Sequence, residues 1–216
     1  TKIGPLRSLL DKVDFLILGG VIYNAYLCIK YNIEIKGISQ EDMNIAKEFY
    51  SLTEKFPDKL IELPYIIESD SLEGKFDGKF RELKVADLKP GTKLNYVLDI
   101  SKKSYDSGSV QKAIMSARSI FVNAVMGLTP HFEEGTINLY KLIGKNLNAS
   151  KMFGGGDTLQ EFRLLLPGQY LRAIDNPKYY FFSGGGTILN AIEEGNIRGL
   201  APVEALINNK ISMPCI

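Results

Sequence analysis

A run of three glycines between an apolar segment and an amphipathic one constrains the fold of this 216-residue chain most strongly. Lys151 to Phe153 precede Gly154 to Gly156, and Asp157 and Thr158 follow. This order predicts a strand, a glycine turn and a helix start. In one interpretation, backbone N–H groups and the helix dipole bind phosphate while Asp157 holds a divalent cation against it. In the other, the segment is only a tight turn, and Asp157 or Thr158 caps the helix.

The same layout occurs twice more in the chain. The aromatic run Tyr179 to Phe182 precedes Ser183 and the triplet Gly184 to Gly186, and the apolar run Phe15 to Leu18 precedes the pair Gly19 to Gly20. If the apolar runs are parallel neighbours, their glycine turns lie at the carboxyl edge of one sheet. Ligands of α/β folds bind at that edge. The repetition therefore favours the ligand-binding interpretation.

Strand-like runs alternate with helical patterns along the chain, which predicts a parallel sheet with right-handed crossovers. We expect about six strands in a doubly wound, Rossmann-like α/β fold of three layers. No linker is visible, so residues 1–216 are predicted to form one domain. Ser39 to Asp42 forms a capping-box pattern ahead of a helix, and the polar stretch Glu68 to Pro90 predicts a surface hairpin. Val203 to Asn208 is predicted as a short last helix.

Composition argues against several classes of partner. The net charge is +1 with no long basic run, so nucleic acid and anionic membranes are unfavourable partners. Neither a Walker A sequence nor GxGxxG is present, which argues against a dehydrogenase-like dinucleotide binder. His131 is the single histidine, so a histidine-based metal site is poorly supported. Cys28 and Cys215 lie far apart, which favours a reduced, cytoplasmic chain, expected to be a monomer.

Five segments, taken in order, carry a resemblance to one family. Leu9 to Gly20 contains LLDKVD and a glycine pair, and Leu98 to Ile100 spells LDI. Val122 to Gly127 spells VNAVMG, Gly154 to Thr158 spells GGGDT, and Ser183 to Gly186 spells SGGG. They resemble the LLDKVD…GG, LDIGP, WNGPMG, GGGDT and TGGG motifs of phosphoglycerate kinases. The match runs nearly end to end along the carboxyl-terminal, nucleotide-binding domain of that family.

The resemblance implies phosphoryl transfer between 1,3-bisphosphoglycerate and Mg-ADP, giving 3-phosphoglycerate and ATP. By carry-over, Asp157 would hold Mg²⁺ and Thr158 would contact the nucleotide phosphates. The transferring phosphoryl group would be stabilised by three catalytic glycines, Gly184, Gly185 and Gly186. The other nucleotide-binding residues implied are Gly19, Gly20, Asn123, Gly155 and Gly156. The substrate 3-phosphoglycerate would bind through an amino-terminal substrate domain that is absent from this chain.

The chain departs from the family pattern in places that bear on activity. Ala124 and Val125 stand where the family has Gly and Pro, and Pro130 stands where the family has the Glu that binds ribose. The family's GGAKV segment, whose lysine contacts the phosphates, would end just before Thr1. We therefore expect this chain alone to bind Mg-ADP without turnover. The alternative is a diverged, catalytically silent relative that acts as a binding or interaction module.

Overall fold

The structure is a computed structural model that describes residues 3–73 and 78–195. The predicted helix at Val203 to Asn208 and the second cysteine, Cys215, lie outside the described residues. Within the described ranges the α-helices are Ile3–Lys12 (α1), Gly20–Tyr31 (α2), Gln40–Thr53 (α3), Gly108–Ser116 (α4), Glu134–Lys145 (α5), Gly156–Leu165 (α6), Pro167–Ile174 (α7) and Gly185–Glu194 (α8). No helix in this part of the chain is long and apolar enough to cross a membrane.

The strands form three hydrogen-bonded groups. Their bounds are Glu34–Ile35 (β1), Tyr65–Ser69 (β2), Phe80–Lys84 (β3), Lys93–Leu94 (β4), Tyr96–Ile100 (β5), Ser119–Val122 (β6), Ser150–Gly154 (β7) and Tyr179–Phe182 (β8). Strands β6, β7 and β8 form a parallel sheet in that order, β2 lies antiparallel between β3 and β5, and β1 pairs in parallel with β4. The α/β class with parallel strands is confirmed, whereas the count of six strands in one continuous sheet is not.

Two local predictions are confirmed by backbone geometry. Ser39 is the N-cap of α3, and its hydroxyl accepts a hydrogen bond of 3.1 Å from the Asp42 N–H. The predicted hairpin is formed by the antiparallel pair β2 and β3, although β2 begins at Tyr65, before the polar stretch. Both signals are local, because a cap and a hairpin depend mainly on residues close in sequence.

The predicted strand at Phe15 to Leu18 is reduced to a single parallel bridge between Leu16 and Leu60. The Leu16 N–H donates to the Lys59 carbonyl at 2.8 Å, and the Ile61 N–H donates to the Leu16 carbonyl at 2.9 Å. Leu18 is buried in the core. The apolar run therefore predicts burial correctly, but only one of its residues, Leu16, forms a β-bridge.

An aromatic cluster supports the carboxyl edge of the β6–β7–β8 sheet. Phe153 of β7 and Phe162 of α6 are fully buried with ring centroids 4.7 Å apart. Tyr140 of α5 packs on both rings at 5.3 Å, and Tyr170 of α7 packs between Phe162 and Phe181. Each fully buried aromatic side chain contributes about 1.5–3 kcal/mol. This packing fixes the strand end from which the triple-glycine turn departs.

Candidate functional site

Three helices begin at the glycine runs that the sequence singles out. Gly19, Gly155 and Gly184 are the N-cap residues of α2, α6 and α8, and none of these helices has a side-chain cap hydrogen bond. The predicted strand–glycine–helix order is therefore confirmed at β7–α6 and β8–α8. Asp157 and Thr158 lie inside the first turn of α6, so the capping interpretation of these two residues is wrong. The first N–H groups of an uncapped helix are available to a ligand.

The last two glycine turns meet around the side chain of Asn123, which follows β6. Gly155 has φ 101° and ψ 142°, a conformation essentially restricted to glycine. Its N–H donates to the Phe182 carbonyl at 2.9 Å, which joins the two turns. A Cβ added to either Gly155 or Gly185 would lie 2.7 Å from the Asn123 Oδ1. The close backbone approach therefore requires glycine at both positions.

The first glycine pair faces the segment that follows Asn123. A Cβ added to Gly19 would collide with the Met126 sulfur and lie 3.5 Å from the Val125 carbonyl oxygen. Gly20 has φ 62°, and a Cβ there would lie 3.9 Å from the same oxygen. The α2 junction thus lies against Val125 and Met126 of the loop after β6.

A cleft of about 1170 Å³ opens at this edge of the sheet. Its walls include part of α1, the run that leads to Gly19, strand β6 and the start of α6. Most of the predicted site residues line it, namely Gly19, Asn123, Gly155, Gly156, Asp157, Thr158 and Gly186. Gly20, Gly184 and Gly185 lie at the helix starts beside the cleft but do not line it.

Asp157 is exposed and reaches the cleft from the first turn of α6. No group of three His, Cys, Asp or Glu side chains placed to hold a metal occurs in residues 3–73 and 78–195. A divalent cation at Asp157 would thus complete its coordination with phosphate oxygens and water. This donor set is typical of Mg²⁺ bound together with a nucleotide. The residues present therefore fit a Mg-nucleotide.

The structure places two further residues that the family resemblance singles out, Asp99 and Pro130. Asp99 is 3% exposed, and its carboxylate accepts from the Gly135 N–H at 3.2 Å and from the Ile100 N–H at 2.8 Å. It therefore holds the first turn of α5. Pro130 is exposed and lies outside the cleft lining, while the preceding Thr129 hydroxyl donates to Glu161 at 3.0 Å.

Comparison with known proteins identifies the family. The sequence model of phosphoglycerate kinase matches residues 1–195. The chain belongs to the phosphoglycerate kinase family. The phosphoglycerate kinase of Streptococcus equi subsp. zooepidemicus is 31% identical over 207 residues, which cover 93% of this chain and 47% of that protein. The phosphoglycerate kinase of Dictyoglomus turgidum is 23% identical over 206 residues, covering 94% and 48%.

A solved phosphoglycerate kinase has the same fold. The structure of phosphoglycerate kinase from Coxiella burnetii superimposes with a TM-score of 0.71 at 25% identity, covering 98% of this chain and 50% of that one. The chain therefore spans about half the length of the phosphoglycerate kinases that it matches. It is a phosphoglycerate kinase-like domain, and the resemblance drawn from the five motifs is confirmed.

Sequence reasoning missed Tyr140 of α5, a helix that carries none of the five family motifs. Tyr140 itself does not line the cleft. The side chain is fully buried and its hydroxyl reaches the loop after β6. No sequence signal marks this role, because the contact joins residues from different elements.

Proposed function

We propose that this chain forms the nucleotide-binding half of a phosphoglycerate kinase. The complete enzyme would transfer a phosphoryl group between 1,3-bisphosphoglycerate and Mg-ADP, giving 3-phosphoglycerate and ATP. One observation carries the proposal: the uncapped starts of α6 and α8 converge on Asn123 beside a cleft. The near-neutral charge argues against a nucleic-acid or membrane partner, and the cysteine usage supports a cytoplasmic protein, which we propose to be a monomer.

The residues of the cleft have distinct proposed tasks. Backbone N–H groups in the first turns of α6 and α8 would donate to phosphate oxygens, at the positive ends of the helix dipoles. Gly155 and Gly185 would allow the nucleotide to approach the backbone closely, while Asn123 would orient it. Asp157 would hold Mg²⁺, which supplies charge neutralisation at the phosphates when it is bound. Gly184 to Gly186 would stabilise the transferring group.

Charge in the cleft supports the expectation that the chain alone does not turn over. The cationic side chains in the described lining are Lys12 and Arg118, and the Lys12 ammonium donates to the Ile192 carbonyl. Phosphoryl transfer depends on positioning and on neutralising the charge that develops on the transferring group. We therefore propose that the acyl-phosphate substrate and further cations come from the half of the enzyme outside this match.

Calorimetric titration with ADP, with and without Mg²⁺, tests the proposal. The parent chain should bind Mg-ADP, and Asp157→Ala should weaken that binding about tenfold or more, since a contact to a charged group is lost. Asp175→Ala, which removes an exposed carboxylate at the end of α7, is the matched control and should bind like the parent.

Three other results would contradict parts of this proposal. Absence of Mg-ADP binding in the parent chain would favour the catalytically silent relative. An equal loss in both variants would mean that Asp157 acts through overall charge, not as a metal ligand. Turnover of 1,3-bisphosphoglycerate by the 216-residue chain alone would contradict the statement that the substrate site lies elsewhere.

A further inference from the structure

Tyr140 lies where four parts of the domain meet. It belongs to α5 and is fully buried. Its ring packs edge-on against Phe153, the last side chain before the triple-glycine turn, and against Phe162 in the second turn of α6. Its own carbonyl accepts from the Gln169 amide at 2.9 Å, which ties it to α7 as well. The side chain is therefore held by packing before its hydroxyl makes any contact.

The Tyr140 hydroxyl reaches the loop that lines one wall of the cleft. It donates to the Ala124 carbonyl at 3.1 Å, one residue after Asn123. The Thr158 side chain, one residue after Asp157, also lies close to the hydroxyl. Burial raises the pKa of the Tyr140 hydroxyl above its ordinary value, so the group stays a neutral donor. Thr158 itself is 3% exposed.

We propose that Tyr140 is a positioning residue of the nucleotide site. Its hydroxyl holds the loop that carries Asn123, while its ring packs on Phe162 of α6, the helix that carries Asp157. The inference rests on the proposed nucleotide-binding function, which it deepens. Because the hydroxyl bonds to the neighbour of Asn123 and Tyr140 does not line the cleft, it acts on the ligand only through that loop.

The hydroxyl and the ring have separable roles. The ring contributes to the aromatic cluster, in which edge-to-face pairs are favourable. The hydroxyl contributes a hydrogen bond whose loss leaves the Ala124 carbonyl without this partner. Tyr140→Phe removes only the second role, since it keeps the ring in place. The positions of Asn123 and Asp157 should then become less tightly coupled.

Tyr170→Phe is the matched control. Tyr170 also packs against Phe162, at 5.6 Å, but its hydroxyl makes no hydrogen bond within the described part of the chain. Both variants lose one phenolic hydroxyl from the same aromatic cluster. Only Tyr140→Phe removes the hydrogen bond that ties the loop after β6 to this cluster.

Ligand binding is measured with Mg-ADP by calorimetry and with adenosine by NMR titration. Tyr140→Phe should weaken Mg-ADP binding about fivefold, the effect of one lost hydrogen bond. Adenosine lacks phosphates, so its affinity should change by less than about twofold. Tyr170→Phe should leave both affinities at the parent values. A purely structural loss would instead weaken both ligands equally, and that result would overturn the proposal.

Amide hydrogen exchange on the ligand-free chain separates this inference from the proposed function. In Tyr140→Phe the amides of Asn123 to Val125, around the carbonyl that loses its partner, should exchange faster than in the parent chain and in Tyr170→Phe. If the parent fails to bind Mg-ADP, the proposed function is wrong, and faster exchange still supports the positioning role. Exchange unchanged at these amides, or accelerated equally in Tyr170→Phe, overturns the role of Tyr140.

Discussion

Gly155→Ala should destabilise the domain strongly. With φ 101° and ψ 142°, a residue with a side chain costs about 1–3 kcal/mol at this position. The added Cβ would also lie 2.7 Å from the Asn123 Oδ1, inside ordinary contact distance, and displacing that amide costs about 1–3 kcal/mol. The two costs have separate origins, so the free energy of unfolding should fall by roughly 2–6 kcal/mol.

Urea unfolding followed by far-ultraviolet circular dichroism measures this loss. The chain has no tryptophan, so a backbone signal is the suitable probe. With an m-value of about 2 kcal/mol per molar urea, the midpoint should fall by about 1–3 M. Gly156→Ala is the matched control, because a Cβ there meets nothing within 4 Å and alanine favours helices. A Gly155→Ala midpoint equal to that of the parent, or an equal loss in Gly156→Ala, would refute the reasoning.

Three further substitutions each test a separate interaction. Asn146→Ala should lower the free energy of unfolding by about 2–4 kcal/mol, because its buried side-chain amide donates to three backbone carbonyls and accepts from two backbone N–H groups. An equal loss in Asn148→Ala, at an exposed position, would contradict this. Ser39→Ala should cost about 1 kcal/mol in urea unfolding through the lost N-cap, and an unchanged midpoint would exclude that cap contribution. Burial lowers the pKa of Lys151 from its ordinary value of 10.5. Between the lowered pKa and 10.5, Lys151 binds a proton more often in the unfolded chain than in the folded one. The stability of the parent chain should therefore rise with pH towards 10.5, relative to that of Lys151→Met. A stability difference that does not change with pH would disprove that linkage.

Local chemistry explains which features the sequence predicts. A glycine that must adopt positive φ, as at Gly155, is selected by its own backbone conformation. The N-cap at Ser39 likewise depends on a residue three positions away. Both are decided within a few residues, so a single sequence contains the necessary information. The edge of the sheet where the glycine turns gather follows from the alternation of strands and helices.

Pairing between strands that are distant in sequence depends on the topology of the whole domain, not on local sequence. The run around Leu16 is apolar enough for a buried strand, yet it forms one bridge to Leu60 instead of a ladder. The antiparallel insertion of β2 between β3 and β5 was likewise not predicted from alternation alone. Apolar content measures how much of a strand is buried, whereas hydrogen-bond partners depend on the whole topology. The strand count was therefore the weakest part of the fold prediction.

Charge arithmetic connects the geometry of the cleft to the proposed need for Mg²⁺. Each helix start supplies about half a positive charge, so α6 and α8 together supply about one. A terminal phosphate carries about −1.5 to −2 near neutral pH, which exceeds that sum. Asp157 adds a further negative charge at the same helix start. Without a divalent cation the carboxylate repels the nucleotide, and with one it becomes a ligand. ADP and Mg²⁺ should therefore each strengthen the binding of the other, and this mutual effect should disappear in Asp157→Ala.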